Sequence, residues 1–509
     1  MRGLMMDVDL TITSLIQYAA EFHSEREIVS RRVEGDIHRY TYADAYARIG
    51  QLANALTRLG VKPGDRIATL AWNGYRHFEL YYAVPGIAAI CHTLNPRLVA
   101  DQLIYIINHA EDSYLFFDLS FAPLVARLAP RLPTVQGFVA LTDKDHLPNG
   151  KGIPRLLCYE DLLSGQPVTF DWLPLDEYTA CSLCYTSGTT GHPKGVLYHH
   201  RSTVLHTFAI CSADCLGLRS SDTVLPAVPM FHANAWGIPY AAAMAGAKLV
   251  LPGPQLDGKS LCELFDQEGV TVTGGVPTIW LEVLDYLEQT GHRPKTLKRM
   301  GVGGSAVPRS MIEKFEEVYT IHLAQGWGMT ETSPLGTMFS PKRDMADWSA
   351  EQRYVLQAKS GRPLYGVEMK IVDEEGREVA HDGKTPGSLL VRGPWVASGY
   401  YKSASRDAFT PEHWFQTGDI ATMDSEGFMQ ITDRTKDLIK SGGEWISSID
   451  LENIAMGHPA VREAAVIAIP HQVAGTATAD RRTQGGGNRK PRRPAGFFQR
   501  QSGQLVDTG

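Results

Sequence analysis

A helix–turn–strand unit recurs along this chain, and the recurrence constrains its fold more than any single motif does. Thr41 stands before a run in which Ile49, Leu52, Leu56 and Leu59 share one helical face, with Asp44 in the first turn and Gly60 at the stop. A VKPGD turn follows, and residues 66–71 then alternate as a strand does. The same rhythm returns at 100–117 and at 260–272. Helices alternating with strands cover the faces of a sheet, so the bulk of the chain reads as layered α/β structure. Over residues 364–392 the pattern changes to short strands separated by DEEGRE and HDGKTPG, which predicts a smaller β-rich subdomain. At 509 residues the chain is too long for one core, and two or three domains are expected.

Between two such units lies YTSGTTGHPKG, residues 185–195. Its glycines let backbone N–H groups approach anionic oxygens, while Thr186, Ser187, Thr189 and Thr190 add hydroxyl donors around Gly188, and Lys194 adds a point charge. Phosphate binding is the chemistry this composition serves. Pro193 precedes Lys194 and Gly195 follows it, so the loop lacks the Lys-Ser/Thr step of a Walker A motif. A plain Ser/Thr/Gly-rich surface turn is the competing reading, and the apolar lead-in before the loop argues against it.

The charged fraction of 21% and hydrophobic fraction of 43% are those of a globular protein, and a net charge of −7 gives no electrostatic footprint for nucleic acid. No apolar run approaches the ~18 residues of a membrane span, so no integral membrane segment is expected. The N-terminus carries Asp7 and Asp9 and lacks a clean apolar core, unlike a signal peptide, which points to a cytoplasmic protein. Seven cysteines, an odd number, argue against a disulfide framework. Cys181 and Cys184 superficially suggest a zinc site. In the apolar stretch ACSLCYT, strand alternation would instead send them to opposite faces as small buried hydrophobes.

The loop resembles the phosphate-binding signature of the adenylate-forming (AMP-binding) enzymes, and the resemblance recurs in order: VPMFHANAW (228–236), VGGSAVP (302–308), QGWGMTE (325–331), TGD (417–419) and DRTKDLIKSGGEWIS (433–447). Within that family, VPMFHANAW resembles the gate segment of bacterial medium- and long-chain fatty acyl-CoA synthetases. The resemblance implies a large N-terminal domain (1–433) of two layered α/β subdomains plus a distorted β-barrel. A hinge (434–438) and a small α+β C-terminal domain, here only partial (439–470), follow. It also implies ATP and CoA as substrates, a fatty acid as the acid, Mg2+ as cofactor, and a homodimer.

Roles carry over by position. Glu331 is the candidate Mg2+ ligand, with Thr186 as its partner, because a hard cation beside phosphates prefers oxygen donors. Trp327 stands where relatives usually carry Tyr, and its ring would stack on adenine, which Gly304, Gln325, Gly326 and Thr330 approach. Asp419 and Arg434 match the residues that reach the ribose. Lys436 lies at the family's pivot position, although an exposed linker lysine is the simpler reading. Lys440 and Trp445 fall in the segment that lines the pantetheine tunnel and touches the adenylate. His232 would lie near the substrate carboxylate. Ala233 and Trp236 belong to the acyl gate, in which the indole blocks the fatty-acid tunnel until ATP binds; Met230, Phe231 and Trp236 as plain core residues remain the alternative.

After Pro470 nothing matches. Residues 471–509 are rich in Gly, Arg and Pro, which reads as a disordered basic tail. Relatives carry a folded segment there, ending in a lysine-bearing P-x-T-x-x-G-K motif. A chain without it is expected to bind ATP yet adenylate poorly, so a nucleotide- and acyl-binding protein with impaired turnover stands beside the ligase reading. An aryl or short-chain acid–CoA ligase is a further alternative.

Overall fold

The computed structural model describes residues 1, 3–186, 192–434, 439–441, 444–446, 451, 465–469 and 476–480. The opening helix of the recurring unit is Tyr42–Arg58, and a reciprocal capping box starts it: Asp44 N donates to Thr41 Oγ1 (3.2 Å) and Thr41 N donates to Asp44 Oδ2 (3.0 Å). Ile49, Leu52 and Leu56 are fully buried along its inner face. Gly60, at φ +85°, turns the chain toward the strand Arg66–Leu70. Asp257 Oδ1 likewise accepts from Ser260 N (3.0 Å) to cap Gly258–Glu268, and Gly269 at φ +66° releases the chain into Val272–Gly275.

These units build two seven-stranded sheets. In spatial order the first is Leu156–Cys158, Gly137–Ala140, Asp112–Phe117, Arg66–Leu70, Ile90–Thr93, Ala180–Tyr185 and Gly195–His199. The second is His322–Gln325, Arg299–Val302, Val272–Gly275, Thr223–Pro226, Lys248–Leu251, Glu27–Arg31 and Ile37–Thr41. Each is parallel except at one edge, where Gly195–His199 and Ile37–Thr41 run antiparallel. Parallel strands need cover on both faces. Accordingly the largest core spans both sheets: Ile67, Cys91 and Phe116 of one, and Ile28, Val224 and Leu249 of the other, pack with helical Leu52, Phe78, Tyr81 and Ala241.

The expected β-rich subdomain is a four-stranded antiparallel sheet, ordered Glu368–Val372, Gly387–Arg392, Phe415–Met423, Met429–Arg434. Ile371, Val391, Trp395, Phe415 and Met429 form its core. Backbone bonds from Ser360 N to Met429 O and from Met429 N to Gly361 O carry the pairing one segment beyond the edge strand; among the described residues the sheet is open, with no pairing that closes it into the expected barrel.

Two local expectations are corrected. A β-bulge between Ala180 and Ser182 interrupts the alternation, so Cys181 and Cys184 enter the same core rather than opposite faces. Within the stretch read as a basic tail, Thr476–Asp480 forms a strand paired antiparallel with Ala465–Ile469; TATAD alternates with period two, as a strand does. Ile439–Ser441 and Glu444–Ile446 form another hairpin, with Lys440 opposite Trp445.

Candidate active site

In open parallel sheets a ligand crevice forms at the carboxyl ends of the strands. The motifs gather there. Arg299–Val302 ends at Gly303 and Gly304, His322–Gln325 leads into Gly326 and Trp327, Thr223–Pro226 leads into the 228–236 segment, and Ala180–Tyr185 leads into Thr186. The glycines are needed for closeness. A Cβ on Gly303 would sit 3.0 Å from Gly326 O, one on Gly326 would sit 2.6 Å from Thr337 O, and Gly304 takes φ +87°. Gln325 is buried and its Oε1 accepts from Val307 N (3.3 Å), while Gly326 N donates to Val302 O (2.8 Å), fixing this turn.

Thr186 and Lys194 face each other at the mouth of a hairpin loop, where Thr186 N donates to Lys194 O (2.9 Å) and Lys194 N to Thr186 Oγ1 (3.3 Å). Lys194 Nζ lies 4.9 Å from the centre of the Tyr400 ring, a cation–π contact. The Tyr400 hydroxyl donates to Glu331 Oε1 (2.6 Å), so one tyrosine links the lysine of the loop to the carboxylate of QGWGMTE. Glu331 is 5% exposed. Burial raises its pKa above the ordinary carboxylate value, opposed by the Tyr400 hydrogen bond and by the Lys194 charge. Thr330 is buried beside it, its carbonyl accepting from Tyr198 Oη (2.6 Å).

Trp327 Nε1 donates to Asp419 Oδ2 (2.9 Å), bridging the second large sheet and the antiparallel one. The indole is half-buried, and a Cβ on Gly336 would meet its ring at 2.6 Å, so only glycine lets the chain pass this close to the ring. Asp419 is itself buried, and its backbone pairs with that of Arg434 on the adjacent strand.

The 228–236 segment holds an unusual backbone. Ala233, Asn234, Ala235 and Trp236 have φ of 41°, 52°, 50° and 56°, and Gly237 follows at 73°. Ala233, Ala235 and Trp236 each lose about 1–2 kcal/mol in this left-handed conformation, which asparagine tolerates better, so neighbouring contacts must hold the turn in place. Asn234 is buried, and its Nδ2 donates to Ser182 Oγ (3.0 Å). The Trp236 ring lies near Gly303 and Gly274: a Cβ on either would stand 3.5 Å and 3.9 Å from it. His232 keeps solvent exposure but occupies a recess where partial burial first, and Arg97 second, lower its pKa. Met230 and Ala233 are buried in the surrounding core.

Ser187, Gly188, Thr189, Thr190 and Lys436 lie outside the described residues, whereas Arg434, Lys440 and Trp445 are placed by backbone alone. Thr186, Lys194, Glu331, Trp327, Asp419, Gly304, Gln325, Gly326, Thr330, His232, Ala233 and Trp236 all lie around the strand ends or on the antiparallel sheet facing them. Tyr400, Gly336 and Asn234 went unread in the sequence. The only sequence sign of Tyr400 is the aromatic pair in SGYYK, and no spacing rule ties it to Glu331.

Residues 16–401 match the family described as AMP-binding enzyme. The long-chain-fatty-acid–CoA ligase of Thermus thermophilus is 51% identical over 469 residues, covering 92% of this chain and 85% of its own. The medium-chain-fatty-acid–CoA ligase of Ectopseudomonas oleovorans is 48% identical over 472 residues (93% and 86%). The 3-methylmercaptopropionyl-CoA ligase of Ruegeria lacuscaerulensis is 50% identical over 473 (92% and 87%). Among solved structures, the anthranilate CoA ligase AuaEII in complex with anthranoyl-AMP superposes with a TM-score of 0.82 at 23% identity, covering 93% of this chain and 87% of its own, a likeness of fold.

Proposed function

We propose that this chain, which belongs to the AMP-binding enzyme family and is an acid–thiol ligase, activates a medium- to long-chain fatty acid through an acyl-adenylate to its CoA thioester, releasing AMP and pyrophosphate. The observation that carries the reading is the position of Trp236, an apolar ring against Gly303, so that an apolar acyl path would meet the nucleotide site at one glycine. In the first half-reaction the carboxylate oxygen attacks the α-phosphorus of ATP and the bond to pyrophosphate breaks. In the second, the CoA thiol attacks the acyl carbonyl and AMP leaves. Two anions must approach, so rate comes from positioning and charge neutralisation.

Lys194 and the hydroxyls of Thr186, Ser187, Thr189 and Thr190, with Gly188, would hold the phosphates. Trp327 would stack on adenine, beside Gly304, Gln325, Gly326 and Thr330. Asp419 and Arg434 would hold the ribose. His232 would sit by the substrate carboxylate, neutral near pH 7, with Ala233 and Trp236 along the acyl path. Lys436, Lys440 and Trp445 would act from the hinge and the small domain. The residues present suit Mg2+: Glu331 and Thr186 are hard oxygen donors, and a buried carboxylate whose pKa burial raises gains from a nearby cation. When bound, Mg2+ would neutralise phosphate charge.

A panel of carboxylates scored by AMP release tests the reading: saturated fatty acids of increasing length against aryl acids and short acids. Preference for octanoate and longer acids supports it. Preference for 3-methylmercaptopropionate or another short acid replaces it with the second reading, which the 50% identity to the Ruegeria enzyme favours. No helix among the described residues is long and apolar enough to cross a membrane. A cytoplasmic location and a homodimer belong to the same proposal, the dimer being tested by light scattering of the purified chain.

A further inference from the structure

The left-handed turn 233–237 needs something to hold it, and its one buried polar side chain does not reach toward the crevice. Asn234 Nδ2 donates to Ser182 Oγ (3.0 Å), Ser182 Oγ donates to Cys91 O (3.1 Å), and Cys184 Sγ donates to Asn234 Oδ1 (3.4 Å). Asn234 Oδ1 also lies within reach of the Ser182 hydroxyl (3.3 Å), so Ser182 holds the Asn234 amide from both of its ends. Ser182 and Cys184 belong to Ala180–Tyr185, the strand that continues into Thr186 and pairs Tyr185 with Gly195 next to Lys194. The other end of the turn is fixed by steric closeness, since a Cβ on Gly237 would meet Ile210 Cδ1 at 2.8 Å and His206 Nδ1 at 2.9 Å. The segment is thus clamped at Gly237, latched at Asn234, and carries Trp236 between the two.

We propose that Asn234 is a positioning residue that latches this strained turn to the strand bearing Thr186, so that nucleotide bound at Thr186 and Lys194 sets where Trp236 stands. The inference rests on the proposed function, in which Trp236 screens the acyl path. A strand is stiff along its length, so a shift at Thr186 is felt at Ser182 and Cys184. The turn has two arrangements available. With the latch engaged, Ala233, Asn234, Ala235 and Trp236 stay left-handed; with it loosened, their intrinsic preference for other backbone regions moves the indole.

Two perturbations act on this balance in opposite directions. Asn234→Ala removes the latch and adds strain, since alanine suits the left-handed region less well than asparagine; Ser182→Ala removes the same hydrogen bond from the other side and leaves the strain as it is. Ala235→Gly keeps the latch and relieves the strain, because glycine adopts the left-handed region as readily as the right. The experiment is calorimetric binding of octanoate and of palmitate to the full chain, with and without α,β-methylene-ATP, which cannot release pyrophosphate. In the wild type the analogue should tighten acid binding by at least about tenfold. In Asn234→Ala and Ser182→Ala that ratio should fall toward unity through tighter binding without nucleotide. In Ala235→Gly it should widen by roughly tenfold, the preference of one residue for this conformation. General loss of stability cannot give opposite signs. Wild-type ratios in both latch variants, or an Ala235→Gly shift in the same direction as theirs, overturn the inference. A wild type whose acid binding ignores the nucleotide overturns the screening role of Trp236 and, with it, the latch.

Discussion

Replacing Glu331 by Gln separates the charge of this side chain from its shape. The amide keeps the volume and an oxygen that can still accept from Tyr400 Oη, so the bond now 2.6 Å long survives. Only the charge is lost. Lys194 stays on the Tyr400 ring and Thr186 stays at the loop mouth, leaving the rest of the phosphate site in place. Losing one preorganised charge at a reacting phosphate costs about 10²–10³ in rate, or ~2.7–4 kcal/mol. Stability should move the other way. Burial raises the folded-state pKa of Glu331, so the ionised form is penalised in the folded chain, and the penalty is fully present once pH exceeds that pKa. Gln carries no such penalty, so the melting temperature at neutral pH should equal or exceed that of the parent. ATP–pyrophosphate exchange over a Mg2+ series, alongside thermal melting, reads both effects. An unchanged Mg2+ dependence with a rate within a few-fold of the parent would refute the assigned role.

Three further outcomes follow from the same geometry. Trp327→Phe keeps an aromatic face but removes the donor to Asp419; hydrogen bonds to charged groups are worth ~1.5–3 kcal/mol, so the variant should unfold at lower denaturant concentration by a stability loss of that order, and an unchanged midpoint would reject the bond as a tie between the two sheets. Trp236→Ala should let fatty acid bind without nucleotide, and a preserved order of binding would reject the screening role. His77 and His206 are buried, with pKa values lowered by desolvation to about 4 and about 3. The unfolded chain takes up these protons near pH 6.5 while the folded chain resists, so the melting temperature should drop steadily from pH 6.5 to about 4, and a flat profile there would contradict the burial.

Local signals were legible where neighbours in sequence are also neighbours in space. The Thr41–Asp44 capping box and the stop at Gly60 are written within one helix, and the structure places them as the spacing predicts. The ordered motifs named the candidate residues, and the structure shows that the segments carrying them follow the carboxyl ends of strands. Features made by distant partners were not legible. The Trp327–Asp419 bond joins residues 92 positions apart, and Tyr400 meets Glu331 across 69. The left-handed turn was hidden for another reason: Ala233, Ala235 and Trp236 disfavour that backbone, so tertiary contacts at Asn234 and Gly237 override local preference there. The bulge at Cys181 likewise leaves no mark in composition, and strand periodicity alone sends that thiol to the wrong face.

The contact between Trp327 and Gly336 also bears on how such a sequence can drift. A methyl group at 336 would overlap the indole at 2.6 Å, and the ring cannot retreat while its nitrogen is held by Asp419. A single step to alanine at 336 is therefore closed as long as 327 is tryptophan. A smaller ring at 327 opens that step, and tryptophan can return only after 336 has gone back to glycine. The two positions are thus coupled in order: in either direction the path must pass through glycine at 336 with a smaller ring at 327, and the combination of tryptophan with alanine is the one step barred.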